Sequence, residues 1–542
     1  MTSNAMMVGI VLLTLAVGAA CAQTGAPAAV ERPQTFMVPM RDGVRLATDV
    51  YLPRGKGPWP VILMRTPYNK EPGHGRGLSW QGYVVVVQDM RGRFASEGKD
   101  IAFLDCGNDG ADTIAWLLQQ PWCNGKVGTQ GGSALAITQN MLAPEHPPGL
   151  VCQHMAMGAA SLYHDAVYQG GALREAMVMW WLEKNGFDPE AAALFRSHSD
   201  YDEIWRRMDS VARASQITAP AMHLGGWFDI FSQGTINAFV SRQTRGGKGA
   251  RGNQWMVMGP WVHGPARSKA GDLSFPKNAG ELPEHAKPAF WFDYWLRGKD
   301  NGLRDIPPVT YYVMGACGEP DAPGNEWRTA RAWPVPATDT PYYLRRDGAL
   351  SRSKPTRNAL PLAYLYDPED PVSTIGGANL NLPAGSMDQR PAEGRPDVLV
   401  FTSPVLDRPV QVTGRVRVRL YASSSAVDTD FTAKLCDVYP DGRSMLICDG
   451  IIRARHRRSM KTETFLTPGN VYAFDIDLWS TSLVFNRGHR IRVDISSSNA
   501  PRFEPNPNVR SGGKPRIATQ AVFCDRRYPS ALILPVVKRS AR

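Results

Sequence analysis

Cysteine is scarce in this chain: eight of its 542 residues are cysteines, at irregular spacing and with no CxxC pair among them. That pattern excludes a small disulfide-framework protein and the common zinc-binding motifs. One or two disulfide bridges could still form if the chain is exported. The sequence also shows no phosphate-binding loop, nucleotide fingerprint or metal-ligand cluster, so a nucleotide-dependent enzyme is not indicated.

Long runs of one charge sign are missing as well. Lys and Arg outnumber Asp and Glu by 61 to 50, for a net charge of +11, but no run of them resembles a nucleic-acid-binding arm. We interpret the excess as a basic surface and expect no nucleic-acid partner. Hydrophobic residues make up 43% of the chain and charged residues 20%, as in soluble globular proteins. The length predicts two or three domains.

One segment near the N-terminus, residues 6–17, is continuously apolar. It is about as long as the hydrophobic region of a secretory signal, and the small residues at 20–22 predict cleavage before Gln23. The segment is shorter than the roughly 20 residues of a membrane span. We therefore predict a signal peptide over residues 1–22, export to the periplasm or the medium, and no transmembrane span in the mature chain. Lipid attachment at Cys21 is a weaker alternative.

From about residue 33 to 300, short apolar runs alternate with helical patterns, which predicts a parallel sheet with crossover helices. Runs such as 61–64 and 83–87 are apolar throughout, as expected of strands buried on both faces. Residues 160–215 break this rhythm and predict a cap of helices without strands over the carboxyl edge of the sheet. We assign the sheet domain to residues 33–159 and 216–334.

After about residue 333 the character of the sequence changes. Turn signals such as residues 439–442 separate short, alternating, β-branched runs, and helical periodicity nearly disappears. This is the pattern of an antiparallel β-sandwich. We place the domain boundary near residue 335 and assign residues 335–542 to the sandwich.

The motif that carries chemistry is the segment 125–136, in which a strand-like run reaches Gly131-Gly132-Ser133 and continues into a helix-prone run. This layout is typical of a nucleophile elbow, whose sharp turn holds the nucleophile in a strained conformation and requires small neighbours. The helix N-terminus behind Ser133 would point backbone N–H groups at the site. The N–H of Ala134 is therefore a candidate oxyanion donor.

Two further predicted strands end in triad-type side chains. The strand at 217–224 leads to Asp229 and the strand at 254–258 leads to His263, each on a glycine-containing loop. The order Ser, Asp, His is the one expected of the α/β-hydrolase fold. Ser133 would attack a carbonyl carbon, and His263 would take and return its proton. Asp229 would hold the imidazole tautomer. Such a mechanism needs no metal or organic cofactor, and we expect none.

Motifs that extend over nearly the whole mature chain carry a family resemblance. They are RTPY at 65–68, DMRGR at 89–93, QPWCNGKVG at 120–128, GWFD at 226–229, GPWVHG at 259–264, DTDF at 428–431, DVYPDG at 437–442 and GHRIR at 488–492. On these motifs the chain resembles the cocaine-esterase-like hydrolases, which group with X-prolyl dipeptidyl-peptidases, α-amino-acid ester hydrolases and glutaryl acylases. The resemblance implies an α/β-hydrolase core with a helical cap insertion and a C-terminal jelly-roll sandwich. It also implies acyl transfer to water through an acyl-enzyme.

The resemblance further implies that the hydroxyl of Tyr68 supplies an oxyanion-hole donor. The family usually has a Tyr directly after the nucleophile and a Gly two residues later, where this chain has Ala134 and Ala136. Without the Tyr at 134, the acyl pocket beside the elbow should be more open, whereas Ala136 is small enough for the turn but makes it slightly tighter. Trp227 and Trp261 flank the triad residues and are candidates to line that pocket.

Small carboxylic esters, amides or short peptides are the expected substrates. X-prolyl peptidases and amino-acid ester hydrolases must neutralise a free ammonium, which normally takes carboxylates near the triad. In the amino-acid ester hydrolases two such acids closely follow the triad Asp, but residues 230–233 of this chain contain no acid, which argues against that subgroup. In the cap, Asp165, Glu175 or Glu183 could bind the ammonium group in an X-prolyl dipeptidyl-peptidase. A non-catalytic exported binding protein is the alternative from another class, and an intact triad argues against it. A homo-oligomer is compatible with the sequence.

Overall fold

The computed structural model describes residues 33–538 with the exception of 71–75 and 80. The predicted signal peptide and Cys21 lie outside the described residues. The seven cysteines that the structure does describe are all free thiols, so the disulfides that export would permit are not formed among them. No helix in the described ranges is long and apolar enough to span a bilayer.

Strands and helices are interspersed along residues 33–330. The strands are β1 (Gln34–Pro39), β2 (Arg45–Tyr51), β3 (Trp59–Thr66), β4 (Val84–Asp89), β5 (Cys123–Gly132), β6 (Leu150–Ala156), β7 (Tyr168–Gln169), β8 (Ala172–Leu173), β9 (Ala221–Phe228), β10 (Gln254–Val262), β11 (Lys269–Ala270), β12 (Leu273–Ser274), β13 (Val309–Val313) and β14 (Glu326–Ala330). The helices are α1 (Arg76–Ser79), α2 (Cys106–Leu118), α3 (Ala134–Leu142), α4 (Glu175–Lys184), α5 (Pro189–Ser197), α6 (Glu203–Arg207), α7 (Ser232–Arg245) and α8 (Pro288–Trp295).

Ten of these strands form one sheet in the order β1-β2-β4-β3-β5-β6-β9-β10-β13-β14. Pairing is parallel from β4 to β13, and β1, β2 and β14 add antiparallel edges. All six residues of β4 are buried, because helices cover the sheet on both faces. Helix α3 packs on β5, α7 on β9 and α8 on β6. The predicted α/β-hydrolase fold class is confirmed.

The cap lies between β6 and β9 and contains a π-helix (Leu162–Val167) and the helices α4, α5 and α6. The expectation that this segment has no strands is wrong, because β7 and β8 pair as a short hairpin. Gly170 and Gly171 turn the chain there with φ values of +56° and +79°. Strands of two residues are too short to leave an alternating pattern in the sequence.

In the described residues the C-terminal part is all-β apart from the short helix α9 (Arg390–Glu393) and a 3-10 turn (Ala454–His456). Its strands are β15 (Thr338–Leu344), β16 (Leu350–Ser351), β17 (Leu362–Tyr366), β18 (Leu399–Thr402), β19 (Val410–Ser424), β20 (Asp430–Val438), β21 (Ser444–Arg453), β22 (Tyr472–Phe485), β23 (Arg490–Ser496), β24 (Ala518–Phe523) and β25 (Ala531–Val536). One antiparallel sheet has the order β16-β15-β25-β19-β24-β17, with β22 beside β19, and the other is β18-β23-β20-β21. Between them Phe431 packs on Phe474 with ring centroids 4.8 Å apart. The sandwich begins at β15, a few residues beyond β14.

Candidate active site

Four parallel strands deliver the predicted catalytic side chains to one edge of the sheet. Tyr68 follows β3, Ser133 follows β5, Asp229 follows β9 and His263 follows β10. Because the carboxyl ends of parallel strands meet at the same edge, residues far apart in sequence come together there.

The turn between β5 and α3 holds Ser133 in a rare backbone conformation, with φ +57° and ψ −124°. A non-glycine residue in this region is strained, and such strain concentrates at functional sites. Gly131 has φ +151°, and a Cβ atom there would lie 2.3 Å from the Cβ of Leu135. The turn therefore closes only with glycine at that position. The N–H of Ser133 donates to the carbonyl of Ala156 at 2.9 Å, which fixes the turn against β6.

The three triad-type side chains form a continuous hydrogen-bond chain. The Nε2 atom of His263 lies 2.9 Å from the Oγ of Ser133, and its Nδ1 lies 2.5 Å from Oδ1 of Asp229. The side chain of Asp229 is fully buried and that of His263 is 5% exposed. The second carboxylate oxygen of Asp229 accepts the N–H of Phe231 at 2.8 Å, so the carboxylate cannot rotate away from the imidazole. This geometry suits a serine nucleophile with an oriented general base.

Two donors flank the Ser133 hydroxyl. The N–H of Ala134 opens helix α3, where the helix itself offers no carbonyl to accept it. The phenol of Tyr68 lines the same pocket as the Ser133 side chain, and burial raises its pKa above the ordinary value, so it keeps its proton at neutral pH. The expected partners of an oxyanion hole thus lie beside the nucleophile.

Trp181 is a site residue that the sequence motifs did not reveal. Its Nε1–H donates to the Tyr68 oxygen at 2.9 Å. In that bond the Tyr68 oxygen is the acceptor, so its own O–H stays available to donate at the nucleophile. Trp181 stacks on Phe103 at 5.8 Å and 10°, which holds the indole in place. The sequence of α4 is rich in Trp, but that composition alone does not show which tryptophan contacts Tyr68.

A narrow apolar pocket opens beside Ser133, with a free volume of about 50 Å³. Most of the side chains around it come from the cap, from α3 and from the loop after Asp229, and single residues come from the loops after β3 and before α2, from the elbow and from the sandwich. They are Tyr68, Phe103, Ser133, Ala134, Ile137, Leu162, Ala166, Val167, Met177, Val178, Trp181, Phe195, Ile230, Phe231 and Leu380. No Asp or Glu of the described chain is among them. An uncharged group of a few heavy atoms suits this space.

Trp227 and Trp261, which the sequence suggested for the pocket, do not line it, and this part of the prediction is wrong. Both indoles are buried in the core on either side of the sheet, where their N–H groups donate to the carbonyls of Tyr312 and Ala279. Residues within a strand alternate between faces, so adjacency to the triad in sequence does not place a side chain in the pocket.

The alanine at 136, where the family usually has Gly, packs tightly in the turn, in agreement with the expectation from the sequence. Ala136 is fully buried, and a Cβ built on Gly158 would lie 2.6 Å from the Ala136 methyl. Gly158 therefore provides the space that the methyl group of Ala136 fills.

The three cap acids that could have received a substrate ammonium all lie outside the pocket lining. Asp165 is buried and accepts the N–H groups of Ala160 and Ser161. Glu175 pairs with Arg196, and Glu183 is exposed. None of these carboxylates faces the apolar cavity.

Arg174 is a second residue that the sequence reasoning missed. Its side chain is buried, and its guanidinium donates at 2.9 Å to the carbonyls of Asp165 and Ile230 and at 3.3 Å to that of Ala378. Burial lowers the pKa of this guanidinium to about 9, which leaves it charged at neutral pH. One cation thus ties together the cap, the loop after Asp229 and the sandwich.

Comparisons with known proteins agree with this site. Residues 42–193 and 180–265 match the family X-Pro dipeptidyl-peptidase (S15 family), and residues 301–533 match the X-Pro dipeptidyl-peptidase C-terminal non-catalytic domain. Cocaine esterase from Rhodococcus sp. is 36% identical over 93% of this chain and 98% of that protein. The chain belongs to the X-Pro dipeptidyl-peptidase (S15) family. It is a serine hydrolase, and the resemblance inferred from its motifs is confirmed.

Solved structures of the family superpose over nearly the whole chain. An aminopeptidase from a marine sediment Thaumarchaeota archaeon has a TM-score of 0.81 at 25% identity, covering 95% of this chain and 99% of that one. An α-amino-acid ester hydrolase has a TM-score of 0.78 at 27% identity, covering 95% and 98%. One of these structures is named an aminopeptidase and the other an ester hydrolase, so the likeness alone leaves open whether this chain cleaves esters or amides.

Proposed function

We propose that this S15 family member is a carboxylesterase that accepts small, uncharged, apolar acyl groups. The observation that carries the proposal is the narrow apolar pocket beside Ser133, whose described lining contains no acid. A buried ammonium without a carboxylate would be costly, whereas a short alkyl chain is favoured by the apolar walls. The 36% identity to an esterase supports ester rather than peptide cleavage.

The geometry supplies each step of acyl transfer. The Ser133 oxygen attacks the ester carbonyl while His263 Nε2 takes its proton across the 2.9 Å contact. The carbonyl oxygen becomes negative and is stabilised by the Ala134 N–H and the Tyr68 O–H. His263 then protonates the leaving alkoxide, which leaves an acyl group on Ser133. Water, deprotonated by His263, releases the acid by the same route.

An X-prolyl dipeptidyl-peptidase is the second candidate, because the family model carries that activity in its description. Such an enzyme binds the free amino terminus of a dipeptide near the nucleophile. The placement of Asp165, Glu175 and Glu183 away from the pocket argues against it.

The test combines labelling with turnover of the purified enzyme. We compare wild type with S133A and with the control S197A, which replaces an exposed serine on α5. Each protein is treated with a fluorophosphonate probe. Each is also assayed on the p-nitrophenyl esters of acetate, butyrate and octanoate and on Gly-Pro-p-nitroanilide. We expect labelling of wild type and S197A but not S133A, and faster turnover of acetate and butyrate than of octanoate. Faster cleavage of Gly-Pro-p-nitroanilide than of butyrate would replace the esterase with the peptidase. Labelling that persists in S133A would remove Ser133 as the nucleophile.

We also propose that the enzyme is exported. The apolar segment at 6–17 and the small residues before Gln23 support this, with Cys21 as a lipid-attachment alternative.

A further inference from the structure

Away from the triad, the cap meets the sandwich at three potential metal-ligating side chains. Asp200 lies between α5 and α6 of the cap, and His456 and Glu463 lie between β21 and β22 of the sandwich. One ligand atom from each residue falls within 4.8 Å of the other two. More than 250 positions in sequence separate Asp200 from His456, so only the fold brings them together.

Two of these atoms are buried, unpartnered and aimed at each other. His456 is 1% exposed, and its Nδ1 lies 3.3 Å from the carbonyl of Ser459. A proton on Nδ1 for that bond makes Nε2 a lone-pair acceptor. Nε2 lies 3.7 Å from Oδ1 of Asp200, and neither atom has a hydrogen-bond partner in the described part of the chain. Two buried acceptors that face each other are unfavourable unless a positive charge, either a proton or a metal cation, lies between them.

The neighbouring arginines do not supply that cation. Arg455 pairs with Asp428 and Glu463, and Arg453 pairs with Asp430. Within the described ranges, His456 is the one ion-pair partner of Asp200 at 4 Å or less. In the described ranges Asp200 therefore forms no ion pair with a lysine or an arginine, and Arg455 acts on its charge only from a longer distance.

We propose that Asp200, His456 and Glu463 bind a divalent cation, and that zinc is the best match. Imidazole nitrogen and carboxylate oxygen are both zinc ligands, and the imidazole favours zinc over the all-oxygen sites of calcium and magnesium. Bonds of about 2.0–2.2 Å to each ligand span the 3.7 Å between Nε2 and Oδ1. Glu463 would divide its two oxygens between the ion and Arg455, and water would complete the coordination.

The ion would be structural, since it is not connected to the triad. It would join the cap to the sandwich beside Tyr201, whose N–H donates to the Met460 carbonyl at 2.6 Å. On the same cap segment, Trp205 packs against Phe195 at 5.3 Å, and Phe195 lines the acyl pocket. Bound zinc would thus join the cap to the sandwich behind this aromatic layer, and none of its three ligands lines the pocket.

The experiment uses untagged full-length protein that has been stripped with a chelator and dialysed. Zinc chloride is titrated in a calorimeter, and thermal midpoints are measured with and without zinc, for wild type, D200N, H456Q and D202N. D202N is the matched control, because His198 and Asp202 form a similar pair on the cap surface outside the three-residue cluster. Asn also preserves the helix cap that Asp202 provides to α6.

We expect one zinc per chain, a thermal midpoint that rises with zinc in wild type and D202N, and affinity at least about tenfold weaker in D200N and H456Q. D200N should keep wild-type turnover of p-nitrophenyl butyrate, since Asp200 lies outside the catalytic machinery. If H456Q fails to fold, D200N decides alone. No saturable zinc binding by wild type, or equal binding by wild type and D200N, would overturn the proposal and leave an adventitious ion only.

Discussion

Removal of one oxygen atom from Tyr68 should separate transition-state stabilisation from substrate binding. The Tyr68→Phe substitution deletes the phenolic O–H that lies beside the Ser133 hydroxyl and leaves the ring in place. The triad contacts of His263 with Ser133 and Asp229 remain, as does the Ala134 N–H. The variant therefore keeps its nucleophile and base but has one oxyanion donor fewer.

The expected loss is large in rate and small in binding. A single oxyanion donor is worth about 10²- to 10³-fold in kcat, or about 2.7–4 kcal/mol of barrier. A ground-state carbonyl carries little negative charge, so KM should change little. The substitution also leaves the Trp181 N–H, which donates to Tyr68 at 2.9 Å, without its acceptor. That buried donor should cost about 1–3 kcal/mol of folding stability.

The assay measures kcat and KM on p-nitrophenyl butyrate together with the free energy of unfolding in urea. Tyr163→Phe is the control. Tyr163 is a buried tyrosine of the cap, and its O–H donates to the Ser199 carbonyl at 2.7 Å, away from the nucleophile. We expect this control to lose stability but to keep kcat. A Tyr68→Phe enzyme with kcat within about threefold of wild type would refute the oxyanion role. An equal fall of kcat in both variants would assign the effect to stability.

Two further predictions concern packing and pH. Gly158→Ala places a methyl group 2.6 Å from that of Ala136 and should cost about 1–3 kcal/mol of folding stability. Adding Ala136→Gly to the same chain should restore that stability. Urea unfolding of the single and double variants tests this, and a double variant no more stable than Gly158→Ala would contradict the contact. Burial raises the pKa of Asp165 to about 6, above the ordinary value near 3.8, so the folded state holds this proton more tightly than the unfolded state. The contribution of Asp165 to stability should then fall by at most about 3 kcal/mol as the pH rises from about 4 to 6. Unfolding midpoints measured across this range should show that pH dependence in wild type but not in Asp165→Asn. Parallel pH profiles for the two proteins would show that the pKa of Asp165 is not raised.

The sequence determined the local features of the site. Gly131-Gly132-Ser133 predicted a strained turn because glycine tolerates the backbone angles and close contacts such a turn requires, and Ser133 has φ +57° in the structure. Apolar runs marked the buried parallel strands, and loops directly after two of them carried Asp229 and His263. Since parallel strands bring their carboxyl ends to one edge, strand order and periodicity were enough to bring the triad-type residues together.

Tertiary structure alone decided which side chains face the nucleophile and which lie in the core. Trp227 and Trp261 adjoin triad residues in sequence yet are buried elsewhere, whereas Trp181, from a distant cap helix, donates to Tyr68. The contact of Asp200 with His456 likewise joins two domains. Periodicity reports which face of its own element a residue occupies, but not which surface of another element that face meets. The docking of the cap on the sheet and the sandwich supplied that information.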